Sequence, residues 1–176
     1  MTRYQASLAR QITTVALLTA MALALQWLES LLPTMIPGIP VRIGLANIFV
    51  LYALLTMTVW DAFAVAVLRN ILFGLITGNV SGVLYSLCGS ILSWTVMTAM
   101  LPAWRKKWVS PAGISAAGAF AFQLGQAVAG RITVGTAIWY YFPYMGLLSV
   151  PAGIVTGVLC NVLKNRLPHV SNYKES

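Results

Sequence analysis

Apolar residues fall into six runs separated by short polar, glycine or proline breaks, and each run is about long enough to cross a bilayer as a helix. The predicted helices cover residues 11–32, 43–58, 61–76, 82–101, 111–132 and 144–164, a single integral membrane domain over 1–176. Pro33 and Pro37 end the first run, because proline cannot continue a helix. The second fades at Thr56-Met57-Thr58, and a tight turn at Trp60-Asp61 leads into the third. Gly78-Asn79-Val80-Ser81-Gly82 reads as a turn, and Pro102 to Trp108 as a charged loop. The aromatic stretch Trp139-Tyr140-Tyr141-Phe142-Pro143-Tyr144 connects the last two helices.

Composition agrees with this pattern. With 59% hydrophobic and 8% charged residues and a mean hydropathy of +0.82, the chain has too little polar surface to cover a soluble globule. An all-α membrane bundle is the expected fold. Arg3 and Arg10 before an apolar run mimic a signal peptide, but the run continues past Trp27 to Leu32, so an uncleaved first helix is expected. The net charge of +8 arises from 11 Lys and Arg against three acids, Glu29, Asp61 and Glu175. Most basic residues sit at segment ends, which favours positive-inside topology over nucleic-acid binding. An even number of crossings returns Arg105-Lys106-Lys107 and Lys164/Arg166 to the side of Arg3 and Arg10. Both termini are therefore expected in the cytoplasm, with the chain multi-pass in a bacterial plasma membrane and the bilayer as an obligatory partner.

Against that background the polar intramembrane residues stand out. Pro37-Gly38-Ile39-Pro40-Val41-Arg42-Ile43-Gly44-Leu45-Ala46-Asn47 is a glycine-broken turn that carries a guanidinium and a carboxamide into a hydrophobic run. Arg69 and Asn70 lie near the middle of the third helix, where a charge must face a cavity, a carboxylate or an anionic ligand. Arg69 could pair with Asp61 or Glu29, although Asp61 lies two helical turns away, about 12 Å along the axis. Arg42 and Arg131 could be snorkelling anchors. Together the three arginines favour an anionic ligand in the outer half. Asn47, Asn70, Asn79, Tyr85, Gln123 and Gln126, with Ser86, are either interhelical glue or directional groups for that ligand.

Chemical machinery is lacking. No paired acids suited to magnesium-diphosphate chemistry, nucleophile with a base, metal set or P-loop occurs, and His169 stands alone in the polar tail. An enzyme is not expected, and neither is a cofactor. Cys88 and Cys160 read as small buried hydrophobes. The first helix carries Ala16, Ala20 and Ala24 at four-residue spacing, a flat strip suited to internal packing or to docking a partner helix. Gly113, Ala117, Ala121, Gly125 and Ala129 form a second strip on the fifth helix, and Gly82, Ser86, Gly89, Ser90 and Ser93 a third on the fourth.

The motifs Arg42-Ile43-Gly44-Leu45-Ala46-Asn47-Ile48, Arg69-x-x-x-x-Gly74, Tyr85-Ser86-Leu87-x-Gly89, Ser110-Pro111-x-Gly113-Ile114-Ser115 and Gly118-Ala119 through Gly125-Gln126 resemble the Gx transporter family, also labelled heptaprenyl diphosphate synthase component I. This chain has Phe122-Gln123 where that family often has His-Asn. The family in turn resembles the substrate-binding S components of energy-coupling factor (ECF) transporters. The resemblance implies a six-helix S component holding a small compound, expected to be anionic: a vitamin, flavin, quinone-precursor or prenyl-phosphate-like molecule. It also implies that the Ala16/Ala20/Ala24 strip docks on a transmembrane coupling subunit served by two ATPase subunits. The family's other label implies the alternative, a membrane accessory subunit of a polyprenyl diphosphate synthase.

Overall fold

The computed structural model describes residues 3–31, 42 and 44–166. It contains six α-helices: α1 (Arg3–Ser30), α2 (Asn47–Thr56), α3 (Val59–Thr77), α4 (Val80–Arg105), α5 (Pro111–Thr133) and α6 (Ile138–Arg166). No strand occurs among the described residues. Five helices are long and apolar enough to cross a membrane, the exception being α2. The chain is a multi-pass, all-helical membrane bundle. The Pro37 turn and Ile43 lie outside the described residues, as does Glu175.

Local chemistry sets the helix ends. Thr58 and Asp61 form a reciprocal capping box that starts α3, Asn79 Oδ1 accepts the Gly82 N–H at 2.7 Å to start α4, and Ser110 caps α5 ahead of Pro111. The break between the second and third helices is therefore Met57-Thr58, and Trp60-Asp61 belongs to the first turn of α3. Helix α4 runs through Pro102 to Arg105, so the charged loop shortens to the segment around Lys106.

The aromatic stretch at 139–144 is helical rather than a connection. Ile138 is fully buried at its start, Trp139 and Phe142 pack edge to face one turn apart, and the chain instead reverses at a short 3-10 turn, Gly135–Ala137. Gly135 has φ +81°, which glycine adopts without penalty.

α2 is the central element. Its ten residues rise about 15 Å, and it is buried on all sides by contacts with α1, α3, α4, α5 and α6. Hydrogen bonds at both ends fix its span. Glu29 near the end of α1 accepts from the Gly44 and Leu45 N–H groups, and Gln11 near its start donates to Asp61 of α3. These two levels are about 27 Å apart along α1, so α2 and its flanking residues make a full crossing inside a protein sheath. Gly44 has φ +88°, and a Cβ there would stand 2.9 Å from the Phe122 ring, so only glycine fits where the chain turns into α2. This is why the second helix begins at Asn47 and not near 43.

The two halves pack differently. α4, α5 and α6 approach backbone to backbone: a Cβ on Gly125 would lie 2.5 Å from the Cys88 carbonyl oxygen. Helix α1 touches only α2 and α3 among the described residues, through Leu18, Ala22, Gln26 and Glu29. Lys164 sits 4.4 Å from the Trp104 ring centroid, which brings the ends of α4 and α6 together. The up-and-down order places Arg10, Arg105 and Lys164 at one basic end of the bundle.

Candidate functional site

Helical periodicity directs polar residues into the seam between the halves. On α3 the buried positions run Asp61/Ala62, Val65/Ala66, Arg69/Asn70 and Phe73, a four-residue recurrence that carries Arg69 and Asn70 inward. On α4 the same logic turns Ser86, Ser90 and Ser93 inward, and on α5 it turns Gln123 and Gln126 inward. α1 supplies Gln26 and Glu29, and the segment before α2 supplies Arg42. All of these are buried.

The bonding is continuous. Arg69 Nη2 donates to Asn47 Oδ1 at 2.5 Å and to Ser90 Oγ at 2.8 Å. Asn70 Nδ2 donates to Ser90 Oγ at 2.9 Å and to the Ala66 carbonyl at 2.7 Å, and its Oδ1 accepts from Gln26 Nε2 at 3.0 Å. Arg42 Nη1 donates to Ser86 Oγ at 3.0 Å while its guanidinium carbon lies 4.1 Å from the centroid of the Phe73 ring. The Arg42 peptide is gripped from both sides. Its N–H donates to Gln126 Oε1 and its carbonyl accepts from Gln123 Nε2, each at 3.1 Å.

Charge in this cluster does not balance. Among the described residues both guanidinium groups make their hydrogen bonds to neutral partners, and the one carboxylate acting on them, Glu29, spends Oε1 on backbone N–H groups. The cluster holds an excess of positive charge in a medium that penalises it. Beside it, Gly44, Asn47, Ser93, Ser115 and Thr156 line a cavity of about 10 Å³, at the threshold for one water.

The nine ligand-binding candidates divide. Arg42, Asn47, Arg69, Asn70, Gln123 and Gln126 come together in one network. Tyr85 is buried nearby with its hydroxyl on Thr133 Oγ1, whereas Asn79 is exposed as the α4 cap and Arg131 is exposed near the end of α5. Asp61 lies apart from Arg69, bonded to Gln11. Ala16, Ala20 and Ala24 are all exposed, so their strip faces away from the bundle, while Ala22 points in. The strip on α5 is mostly buried and serves internal packing. Gln26 is the cluster member that sequence reasoning missed. Its signal was the polar pair Gln26 and Glu29, three residues apart on one face of an otherwise apolar helix.

Comparison with curated proteins and with solved structures yields no match. Residues 18–163 match the sequence profile described as heptaprenyl diphosphate synthase component I. That span takes in α2 to α5 entire, the latter part of α1, nearly all of α6 and every member of the cluster. On this extent the chain belongs to the heptaprenyl diphosphate synthase component I family.

Proposed function

We propose that the chain is a substrate-binding membrane subunit, similar to an ECF S component, for a small anionic compound in a bacterial plasma membrane. The observation that carries the reading is the buried pair Arg42 and Arg69, held by neutral groups with one carboxylate between them. An anion that displaced their internal partners would gain two charge-assisted contacts in a water-poor setting. With the basic end in the cytoplasm, the cluster lies in the outer half of the bundle.

Having no P-loop, the chain needs a partner to drive uptake. The exposed Ala16/Ala20/Ala24 face is the proposed dock for a transmembrane coupling subunit carrying ATPases. A groove of about 350 Å³ between α1 and α3, lined by Ile12, Val15, Ala16, Ala64 and Leu68, adjoins it.

Native mass spectrometry of the gently purified protein tests the binding reading. A small anion is expected to be retained and to be lost from the Arg42→Ala, Arg69→Ala double variant, and unchanged retention in that variant would overturn the proposal. Gel filtration of the variant checks that it remains folded.

The family description favours a second reading, an accessory subunit of a polyprenyl diphosphate synthase. With only Glu29, Asp61 and Glu175 as acids, the chain would contribute membrane anchoring or product handling to a separate transferase. A transferase that makes full-length product equally well without this chain would end that reading.

A further inference from the structure

Four buried side-chain atoms of the cluster have no partner among the described residues: Gln26 Oε1, Arg69 Nε, Gln123 Oε1 and Gln126 Nε2. Buried polar atoms in folded proteins are nearly always paired, so four in one connected network point to an absent occupant. Backbone groups fix which of these atoms donate, since a peptide N–H cannot accept and a carbonyl cannot donate. Gln126 Oε1 is committed to the Arg42 N–H, leaving Nε2 as a free donor. Gln123 Nε2 is committed to the Arg42 carbonyl, leaving Oε1 as a free acceptor. Asn70 Nδ2 faces the carbonyls of Ala66 and Ser86, so its Oδ1 must take the Gln26 amide, and Gln26 Oε1 is left as a second free acceptor. Arg69 Nε can only donate. Rotating the Asn70, Gln123 or Gln126 amide would break a backbone bond, and rotating Gln26 would set its Oε1 against Asn70 Oδ1.

We infer that the occupant is an anion that also carries an amide, lactam or imide edge, an N–H beside a C=O. The inference rests on the substrate-binding reading and narrows its ligand class. Gln123 and Gln126, three residues apart on α5, leave one acceptor and one donor unpaired, the two kinds of group that such an edge would answer. Arg69 and Arg42 supply the charge. A fully ionised isoprenoid diphosphate offers acceptors alone. It would meet Arg69 Nε and Gln126 Nε2 but would turn lone pairs toward Gln26 Oε1 and Gln123 Oε1, a mismatch that binding sites reject strongly.

The test incubates the full-length protein in lipid nanodiscs with orotate, pantothenate, benzoate and farnesyl diphosphate, and titrates each by native mass spectrometry. Orotate or pantothenate is expected to be retained at least about tenfold better than benzoate, which has the same charge without donors, and better than farnesyl diphosphate. In Gln126→Glu the bond to the Arg42 N–H survives while the free donor becomes an acceptor. The ratio of the better retained donor-bearing anion to benzoate should then fall about tenfold; taking the ratio cancels the added negative charge, which weakens both. Equal or tighter retention of benzoate or farnesyl diphosphate, an unchanged ratio in Gln126→Glu, or retention of no probe overturns the inference. Retention of farnesyl diphosphate alone would leave the anion-binding reading standing, and retention of none would mean that water fills the four positions.

Discussion

Two polar layers cross this bundle, and they are built on opposite plans. Toward the basic end, Asp61 accepts from Gln11 Nε2, the Thr58 N–H and the Thr58 hydroxyl, all between 2.8 and 3.1 Å. One carboxylate is saturated by neutral donors, and the arrangement joins α1 to the start of α3. In the other layer two guanidinium groups share one carboxylate, and four buried atoms go unmet among the described residues. A layer whose every group is answered within the protein is a fastener. A layer carrying excess charge and unanswered groups costs stability, which is the ordinary signature of a site shaped for something else.

The largest expected effect separates both layers from the packing around them. Gly125→Leu drives a side chain into the Cys88 carbonyl at the α4–α5 crossing and should cost about 3 kcal/mol or more, read as lost thermal stability in detergent. Arg69→Met tests the outer layer directly. Removing a buried charge for an apolar side chain of similar length should change stability by only about 1 kcal/mol in either direction while abolishing anion retention. A large stability loss with retention intact would make Arg69 a fastener as well. Asp61→Asn, which weakens the capping box and the Gln11 bond, should cost about 1 kcal/mol with retention unaffected. Ala20→Leu lies on the exposed face and should shift stability by less than about 0.5 kcal/mol, yet it should disrupt co-purification with a coupling subunit.

Much of this architecture could be read from residue order. Long apolar runs announce the spanning helices, because lipid demands continuous hydrocarbon, and the fourfold spacing on α3 predicts that Arg69 and Asn70 share an inward face. Other features leave no such mark. α2 is apolar on every side because protein surrounds it, so its length and its start at Asn47 follow from the φ of Gly44 and the nearness of Phe122, neither visible in a hydropathy pattern. Trp139 to Tyr144 look like an interfacial connection by composition, but edge-to-face packing of Trp139 with Phe142 accompanies a helical path. Asn79 has the composition of a binding residue and the position of a helix cap, and only the Gly82 N–H distinguishes them. Gln26 was obscured by the alanines around it, whose own face turns outward.

The shortness of α2 also constrains how the protein enters its membrane. At about 15 Å it spans only half of a hydrocarbon core of about 30 Å, and its polar ends, at Arg42 and Asn47 on one side and Thr58 on the other, would meet lipid if it were released alone. α1, the membrane-length helix least covered by its neighbours, has the length and hydropathy to cross a bilayer. α2 is too short. The bonds from Gln11 to Asp61 and from Gln26 to Asn70 tie α1 to α3 around it, so insertion of α2 is expected to depend on both of those helices being present.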